Sequence, residues 1–208
     1  IYPRDKTSRQ RIFGSESNGD AQAFTLEVGP GTNSAPPGRI AFNNRNSRIV
    51  ETQINALTIN AWNHIAIVET GTSHILYING SAATDCCGST DLPLADNNDS
   101  KVIAQGRNGT EFFNGKIDEV RVWSDARTAA EISANYNQGV ASSSANLLAY
   151  YKFNGGSGTS LTDSSGNGNT GTLTNMASDD WVSSSATSSS TPTTQDTVFP
   201  SSQRVTAG

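Results

Sequence analysis

The sequence predicts an all-β fold: a two-sheet antiparallel jelly-roll sandwich with one short helix after a late strand. Three observations carry this. Short runs of alternating apolar and polar residues recur about every 8–12 residues, separated by turns rich in Gly, Asn, Asp and Pro. Charged residues make up only 16% of the 208, and Ser, Thr, Asn and Gly take their place. Helical punctuation is concentrated at one point, between Thr128 and Gly139.

In order along the chain, residues 1–8 read as the end of a strand entering a polar turn, and Arg11 to Phe13 as a short strand stopping at Gly14. Ala23 to Val28 alternates, with Phe24, Leu26 and Val28 on one side. Gly29 to Gly38 is a proline-rich hairpin loop, followed by strands at Arg39 to Asn43 and Arg48 to Gln53. Asn63 to Glu69 and Ser73 to Ile78 form a hairpin, and Asn79-Gly80 signals a type I′ turn. Residues 84–100 read as loop, Val102 to Gln105 as a strand, and Asn108-Gly109 as another turn.

The stretch Gly115 to Trp123, GKIDEVRVW, is the least regular strand. Strict alternation would put Ile117, Glu119, Arg121 and Trp123 on one face and Asp118, Val120 and Val122 on the other. A carboxylate among valines needs a partner, because an unpaired buried charge is costly. Either both faces are covered or the strand is bulged. Thr128-Ala129-Ala130-Glu131 is then a capping box that opens a helix of two to three turns, with Ala129, Ile132 and Tyr136 on one face and Gly139 as the stop. Leu147 to Phe153 is a strand, Asp163 to Gly171 (DSSGNGNTG) a dense turn, and Thr172-Leu173 and Trp181-Val182 close the main domain, residues 1–182. Residues 183–208 form a Ser/Thr-rich linker or tail. Its Thr197-Val198-Phe199 and Arg204-Val205-Thr206 are weakly strand-like and suited to pairing with a sheet edge, in this molecule or a neighbour.

The formal net charge of −5 argues against nucleic acid, and no apolar run is long enough for a helical membrane span. Absence of an initiating methionine at Ile1 reads as a fragment or a processed chain. The adjacent cysteines Cys86 and Cys87 are either free thiols or a vicinal disulfide, and two ligands alone do not close a metal site. Asn79, Asn98 and Asn108 head glycosylation sequons.

Trp62-Asn63-His64-Ile65-Ala66, the LYING segment (Leu76 to Gly80), GKIDEVRVW, the capped TAAEI helix and the segment Leu147 to Leu173 together resemble the laminin-G-like/pentraxin-like family of the concanavalin A-like lectin/glucanase fold. The resemblance covers residues 9–182 and implies the jelly roll. It also implies a strand ahead of Ile1: either the chain is clipped there or a first strand is missing, and a sandwich short of a strand would make donation from elsewhere physically attractive.

Trp62 and Trp123 are candidate sugar-stacking platforms, although packing at strand ends is the simpler role. His64 suits a structural role and His74 a strand surface. The E-x-D-x-x-E type motif of glucanases on this fold is missing. Asp118 and Glu119 are neighbours that point apart on a regular strand, and Glu16 and Asp20 fall in a turn, so a non-enzyme is expected. Calcium is the more credible chemistry, since hard cations take carboxylate, amide and carbonyl oxygens. The expected set is Asp118, which the resemblance suggests, with Asp163, Asn167 and Asn169; the competing reading makes Asp163 a turn cap and Asp118 an ion-pair partner. The acidic loop from Asp96 to Asp99 is a second cation candidate, with a solvated loop the simpler reading.

The expected function is an extracellular or cell-surface binding and adhesion module for a glycan or a matrix protein. The alternative is a filament or appendage subunit joined to its own copies by strand exchange.

Overall fold

The computed structural model describes residues 1–15, 24–29, 38–44, 47–53, 55–71, 73–84, 100–106, 109–187, 195–199 and 204–207, with the backbone alone at 47–49, 195–199 and 204–207. Glu16, Asp20, Cys86, Cys87, Asn98, Asn108 and the Asp96 to Asp99 loop lie outside the described residues.

The strands are β1 (Tyr2–Pro3), β2 (Gln10–Ser15), β3 (Phe24–Val28), β4 (Ile40–Asn44), β5 (Ser47–Glu51), β6 (Ile65–Thr70), β7 (Ser73–Ile78), β8 (Ser81–Ala82) and β9 (Lys101–Ile103). They continue with β10 (Gly115–Ile117), β11 (Val120–Trp123), β12 (Leu147–Tyr151), β13 (Ser160–Leu161), β14 (Gly171–Thr174), β15 (Trp181–Ser183), β16 (Gln195–Phe199) and β17 (Arg204–Ala207). The helix α1 (Ala129–Asn135) follows β11, and a 3-10 turn spans Ser178–Asp180. Every strand pairing is antiparallel.

One sheet has eight strands in the order β13-β14-β17-β9-β2-β3-β4-β5. The remaining strands form pieces: β1-β10-β16-β15, β11-β12 and β6-β7-β8. A single apolar cluster joins them, with Leu26, Val28, Ile40, Phe42, Ile103 and Leu173 from the large sheet against Leu76, Ile117, Ala149, Tyr151 and Trp181 from the pieces. This is the expected all-β sandwich with one short helix. On the other face of the large sheet, the buried Glu27 is paired by Arg9 at 2.9 Å and Arg11 at 3.6 Å, which satisfies a charge on a strand with one apolar face.

The irregular GKIDEVRVW segment is bulged. Glu119 has φ +55° and breaks the segment into β10 and β11. Ile117, Val120 and Val122 thereby all face the core. The capping box at α1 is reciprocal: Glu131 N–H donates to Thr128 Oγ1 at 3.2 Å, and Thr128 N–H donates to Glu131 Oε2 at 2.8 Å. Asn79 and Gly80 both have positive φ, as a type I′ turn requires, and a Cβ on Gly80 would come within 2.7 Å of the Tyr136 ring.

The tail strands are internal to the sheets. β17 lies between β14 and β9, with Val205 opposite both Leu173 and Ile103. β16 lies between β10 and β15, with Thr197 opposite both Ile117 and Trp181. Removing residues 195–207 should therefore abolish the cooperative thermal transition rather than merely shorten the chain. Circular dichroism melting of the truncated protein tests this, and an unchanged midpoint would show that the two strands are dispensable.

Candidate functional site

Tyr2 and Trp62 form an aromatic corner. The rings meet edge to face, with centroids 5.8 Å apart and planes at 69°. Tyr2 sits across the β1–β10 pair from Lys116, whose Nζ lies 4.9 Å from the Tyr2 ring centroid. Ile117 points into the core, so the Tyr2–Lys116 pair stands on the outer face. Trp62 is half-buried and held by its neighbour. The buried Asn63 accepts from Thr58 N–H at 3.0 Å and donates through Nδ2 to the carbonyls of Thr58 and Ala61, both at 2.8 Å. Trp123, the other sequence candidate, has the Arg127 guanidinium 4.4 Å over its ring, so one stacking face is taken.

Next to the corner runs a groove of about 1030 Å³ between β6 and β11, lined by both tryptophans, His64, Asp118, Glu119 and Arg121 among others. The two adjacent carboxylates have separate tasks. Asp118 Oδ1 accepts from Glu119 N–H at 2.7 Å and Oδ2 from Ser184 Oγ at 2.5 Å. Glu119 Oε2 accepts from the Arg121 guanidinium at 2.6 Å and from the Tyr150 hydroxyl. Arg121 also donates to the carbonyls of Asn135 and Gln138 at the end of α1, at 3.3 and 2.5 Å. Burial, then the hydrogen bond and the charge of Glu119, push the Tyr150 hydroxyl well above its ordinary pKa.

His64 packs edge to face on Tyr136 at 6.2 Å, and its Nδ1 is buried without a partner. Burial first, then the positive charges of the amino terminus and Arg121, lower its pKa from 6.5 to about 4. His74, expected on a strand surface, is half-buried with its ring 5.6 Å from Phe42, because β7 is covered on that side.

The expected calcium ligands divide between two places. Asp163, Asn167 and Asn169 share one loop, whereas Asp118 belongs to the bulge network with Ser184. Asp163 accepts four hydrogen bonds: from Tyr150 N–H and Ser165 N–H on Oδ1, both at 2.9 Å, and from Ser165 Oγ and Asn169 N–H on Oδ2, at 2.9 and 3.0 Å. Asn167 Nδ2 donates to the carbonyls of Leu147 and Leu148 at 2.7 and 3.0 Å, and Asn169 Nδ2 to Leu148 at 2.8 Å. Among the described residues no group of three or more His, Cys, Asp or Glu comes together. A hard cation needs converging oxygens, and here the carboxylate already faces N–H and O–H donors while both amides present their nitrogens. The arrangement does not fit calcium; it fits a loop that caps the edge of β12.

Of the sequons, the described Asn79 is exposed, with its side-chain carbonyl accepting from His64 N–H at 2.9 Å. Sequence reasoning missed Tyr2, Lys116 and the Glu119–Arg121–Tyr150 network. Only the Tyr2–Trp62 and Lys116 neighbourhood was beyond any local signal, since residues 2, 62 and 116 meet through tertiary pairing.

Two predictions follow from these contacts. Asp163→Ala should lower stability by about 3 kcal/mol, since it strands buried donors, Tyr150 N–H among them. The melting midpoint of the parent should be the same in calcium and in chelator, and a calcium-dependent rise abolished by Asp163→Ala would restore the metal site. Separately, His64 is neutral in the fold near pH 5 but protonated in the unfolded chain. The His64 contribution should lower stability by about 3 kcal/mol as pH drops from about 6.5 to about 4 and change no further below that. Urea titrations of the parent and of His64→Gln check this; equal slopes in that window would exclude His64 as the source.

No curated protein sequence matches the chain. A crystal structure from Bacteroides ovatus ATCC 8483, of a protein provisionally assigned as carbohydrate-binding, aligns at 27% identity and a TM-score of 0.65. The alignment covers 82% of this chain and 49% of that one, so this chain spans about half the length of its relative. An S-layer domain-containing protein from Clostridium thermocellum ATCC 27405 aligns at 22% identity over 62% of this chain and 64% of that one, with a TM-score of 0.31, too loose to support any inference. Among the described residues no helix is long and apolar enough to cross a membrane. Residues 1–133 match the family described as the concanavalin A-like lectin/glucanases superfamily, and with its two-sheet core and capped helix the chain belongs to that superfamily.

Proposed function

We propose that the chain is a non-catalytic carbohydrate-binding module acting outside the cell or at its surface. The observation that carries it is the half-buried Tyr2–Trp62 corner on an outer sheet face, flanked by Lys116. An indole with a supported edge offers a flat, rigid surface to the C–H face of a sugar ring at small entropic cost. The polar residues Arg4, Asn114 and Asn60 neighbour it in the backbone: Arg4 N–H donates to Asn114 C=O and Asn60 N–H to Pro3 C=O, both at 2.9 Å. The similarity to a structure assigned as carbohydrate-binding supports the same class of ligand.

A non-catalytic role is supported by the occupation of the two adjacent carboxylates of the groove. Glycoside hydrolysis needs an acid and a nucleophile or base aimed at one bond, about 5–10 Å apart. Glu119 is bound to Arg121 and Tyr150, and Asp118 to Ser184. Isothermal titration against oligosaccharides selected on a glycan array should show saturable binding that drops at least tenfold in Trp62→Ala, with Trp123→Ala close to the parent. Loss of binding equal in both variants would move the site, and release of reducing ends from the selected glycan would overturn the non-catalytic assignment.

A further inference from the structure

Six asparagines precede a glycine: Asn18, Asn79, Asn108, Asn114, Asn154 and Asn167. Asn18 and Asn108 lie outside the described residues. The dipeptide carries its own reaction, because the glycine nitrogen can close on the asparagine side-chain carbonyl with no Cβ to crowd the approach. Local structure decides whether the two atoms are free to meet. We propose that Asn154-Gly155, between β12 and β13, is a self-modifying site that converts to aspartyl and isoaspartyl forms in the folded protein, while the fold protects Asn79, Asn114 and Asn167. This goes beyond the glycan proposal and is independent of it.

The three protected asparagines are each held by their surroundings. Asn79 donates its N–H to His64 C=O at 3.0 Å, accepts from His64 N–H on Oδ1 at 2.9 Å, and sits in a tight turn whose Gly80 lies against the Tyr136 ring. Asn114 donates its N–H to Gln10 Oε1 at 2.8 Å and accepts from Arg4 N–H at 2.9 Å, and Gly115 is paired in β10 with β1 on one side and β16 on the other. Asn167 Nδ2 donates to Leu147 and Leu148 carbonyls, which fixes the amide that would have to turn.

Asn154 differs in every respect. It is exposed in a segment that belongs to no strand or helix. Neither its side-chain amide nor the Gly155 N–H has a hydrogen-bond partner among the described residues. Gly156 and Gly158 follow, with φ of +67° and +90°, and leave the turn without bulk on that side. A Cβ on Gly155 would meet only the Trp181 ring at 3.5 Å and Ser157 C=O at 3.7 Å, both ordinary contacts, so the position is roomy rather than pinned.

The reaction balances with water alone. Hydroxide removes the Gly155 N–H proton, and the nitrogen attacks Asn154 Cγ. The N–Cγ bond forms, the Cγ–Nδ2 bond breaks, and Nδ2 takes a proton from solvent and leaves as ammonia. Water then opens the cyclic imide at either carbonyl. Cleavage of the new bond gives an aspartyl residue; cleavage of the original peptide bond reroutes the main chain through Cγ and gives an isoaspartyl residue. One water enters, one ammonia leaves and the loop gains a negative charge. The rate rises with pH, because the attacking nitrogen must be deprotonated.

The test holds the full chain at mildly alkaline pH, in buffer and in concentrated guanidinium chloride, and follows the four peptides by mass spectrometry, with isoaspartate identified by enzymatic carboxyl methylation. In denaturant all four sites should convert at similar rates. In buffer, position 154 should stay within about threefold of its denatured rate, whereas positions 79, 114 and 167 should slow at least tenfold, as local opening then limits them. Gly155→Ala should slow conversion at 154 at least tenfold with the melting midpoint unchanged, and Asn154→Gln should remove the ammonia released by this site. Protection at 154 equal to that at the other three, conversion of Asn79, Asn114 or Asn167 in the folded chain as fast as at 154, or an unchanged rate in Gly155→Ala would overturn the assignment.

Discussion

The molecule turns on the bulge at Asp118–Glu119. Without it, Val120 and Val122 would face outward and Arg121 would point its guanidinium into the apolar cluster. Burying an unpaired charge costs several kcal/mol, far more than the roughly 1–3 kcal/mol of a left-handed non-glycine residue. The left-handed Glu119 is also supported locally, by Asp118 accepting its N–H at 2.7 Å. The inserted residue sends Glu119 and Arg121 outward together, where they pair at 2.6 Å. Arg121 then reaches the carbonyls at the end of α1, where the helix dipole favours a cation. One extra residue thus sets the core face of β11 and seats the only helix among the described residues.

A second constraint is the far edge of β12. Its outward backbone groups would be left exposed at a sheet edge, yet the DSSGNGN loop supplies partners for them. Asp163 accepts Tyr150 N–H, Ser164 N–H donates to Tyr150 C=O at 2.7 Å, and both asparagine amides bond Leu148 C=O. Short polar side chains act here as a substitute strand. That role explains the composition of the loop without a cation. The hydrogen bonds from Tyr150, Ser165 and Asn169 also outweigh burial, which acts the other way, and hold the Asp163 carboxyl below its ordinary pKa. Its contribution is complete above pH 4 and is lost as acid titrates it, separately from the His64 window.

Most of the fold was legible because its signals are local. The capping box, the Asn79-Gly80 turn and the alternation of β3 and β7 each specify their element within a few residues. The bulge was half legible: the conflict between Ile117 and the two valines showed that something had to give, but only the core decides where. The site was less legible, for a physical reason. Asp163, Asn167 and Asn169 share one loop, yet the same residue types serve a cation or an exposed strand edge, and only the direction of each amide separates the two. Tyr2, Trp62 and Lys116 carry no shared sequence pattern at all.

The tail shows how little apolar surface an inner strand needs. Ser183 to Thr194 reads as linker, because burial is the usual driving force for order, whereas Thr197-Val198-Phe199 and Arg204-Val205-Thr206 read as weak strands. A strand placed between two others needs much less of its own, since its backbone donors and acceptors are matched on both edges. β17 has β14 on one side and β9 on the other, and the groups it satisfies on those neighbours would otherwise be buried unpaired. The cost is kinetic. Val205 pairs with Ile103, about 100 residues earlier, so the large sheet closes only after a long loop has been brought together, and such non-local pairings slow folding far more than they alter stability. The two halves of that sheet, β13-β14 and β9-β2-β3-β4-β5, are joined only through this strand. A weakly strand-like segment therefore holds the largest sheet together, and until it arrives both β9 and β14 present open edges to other chains.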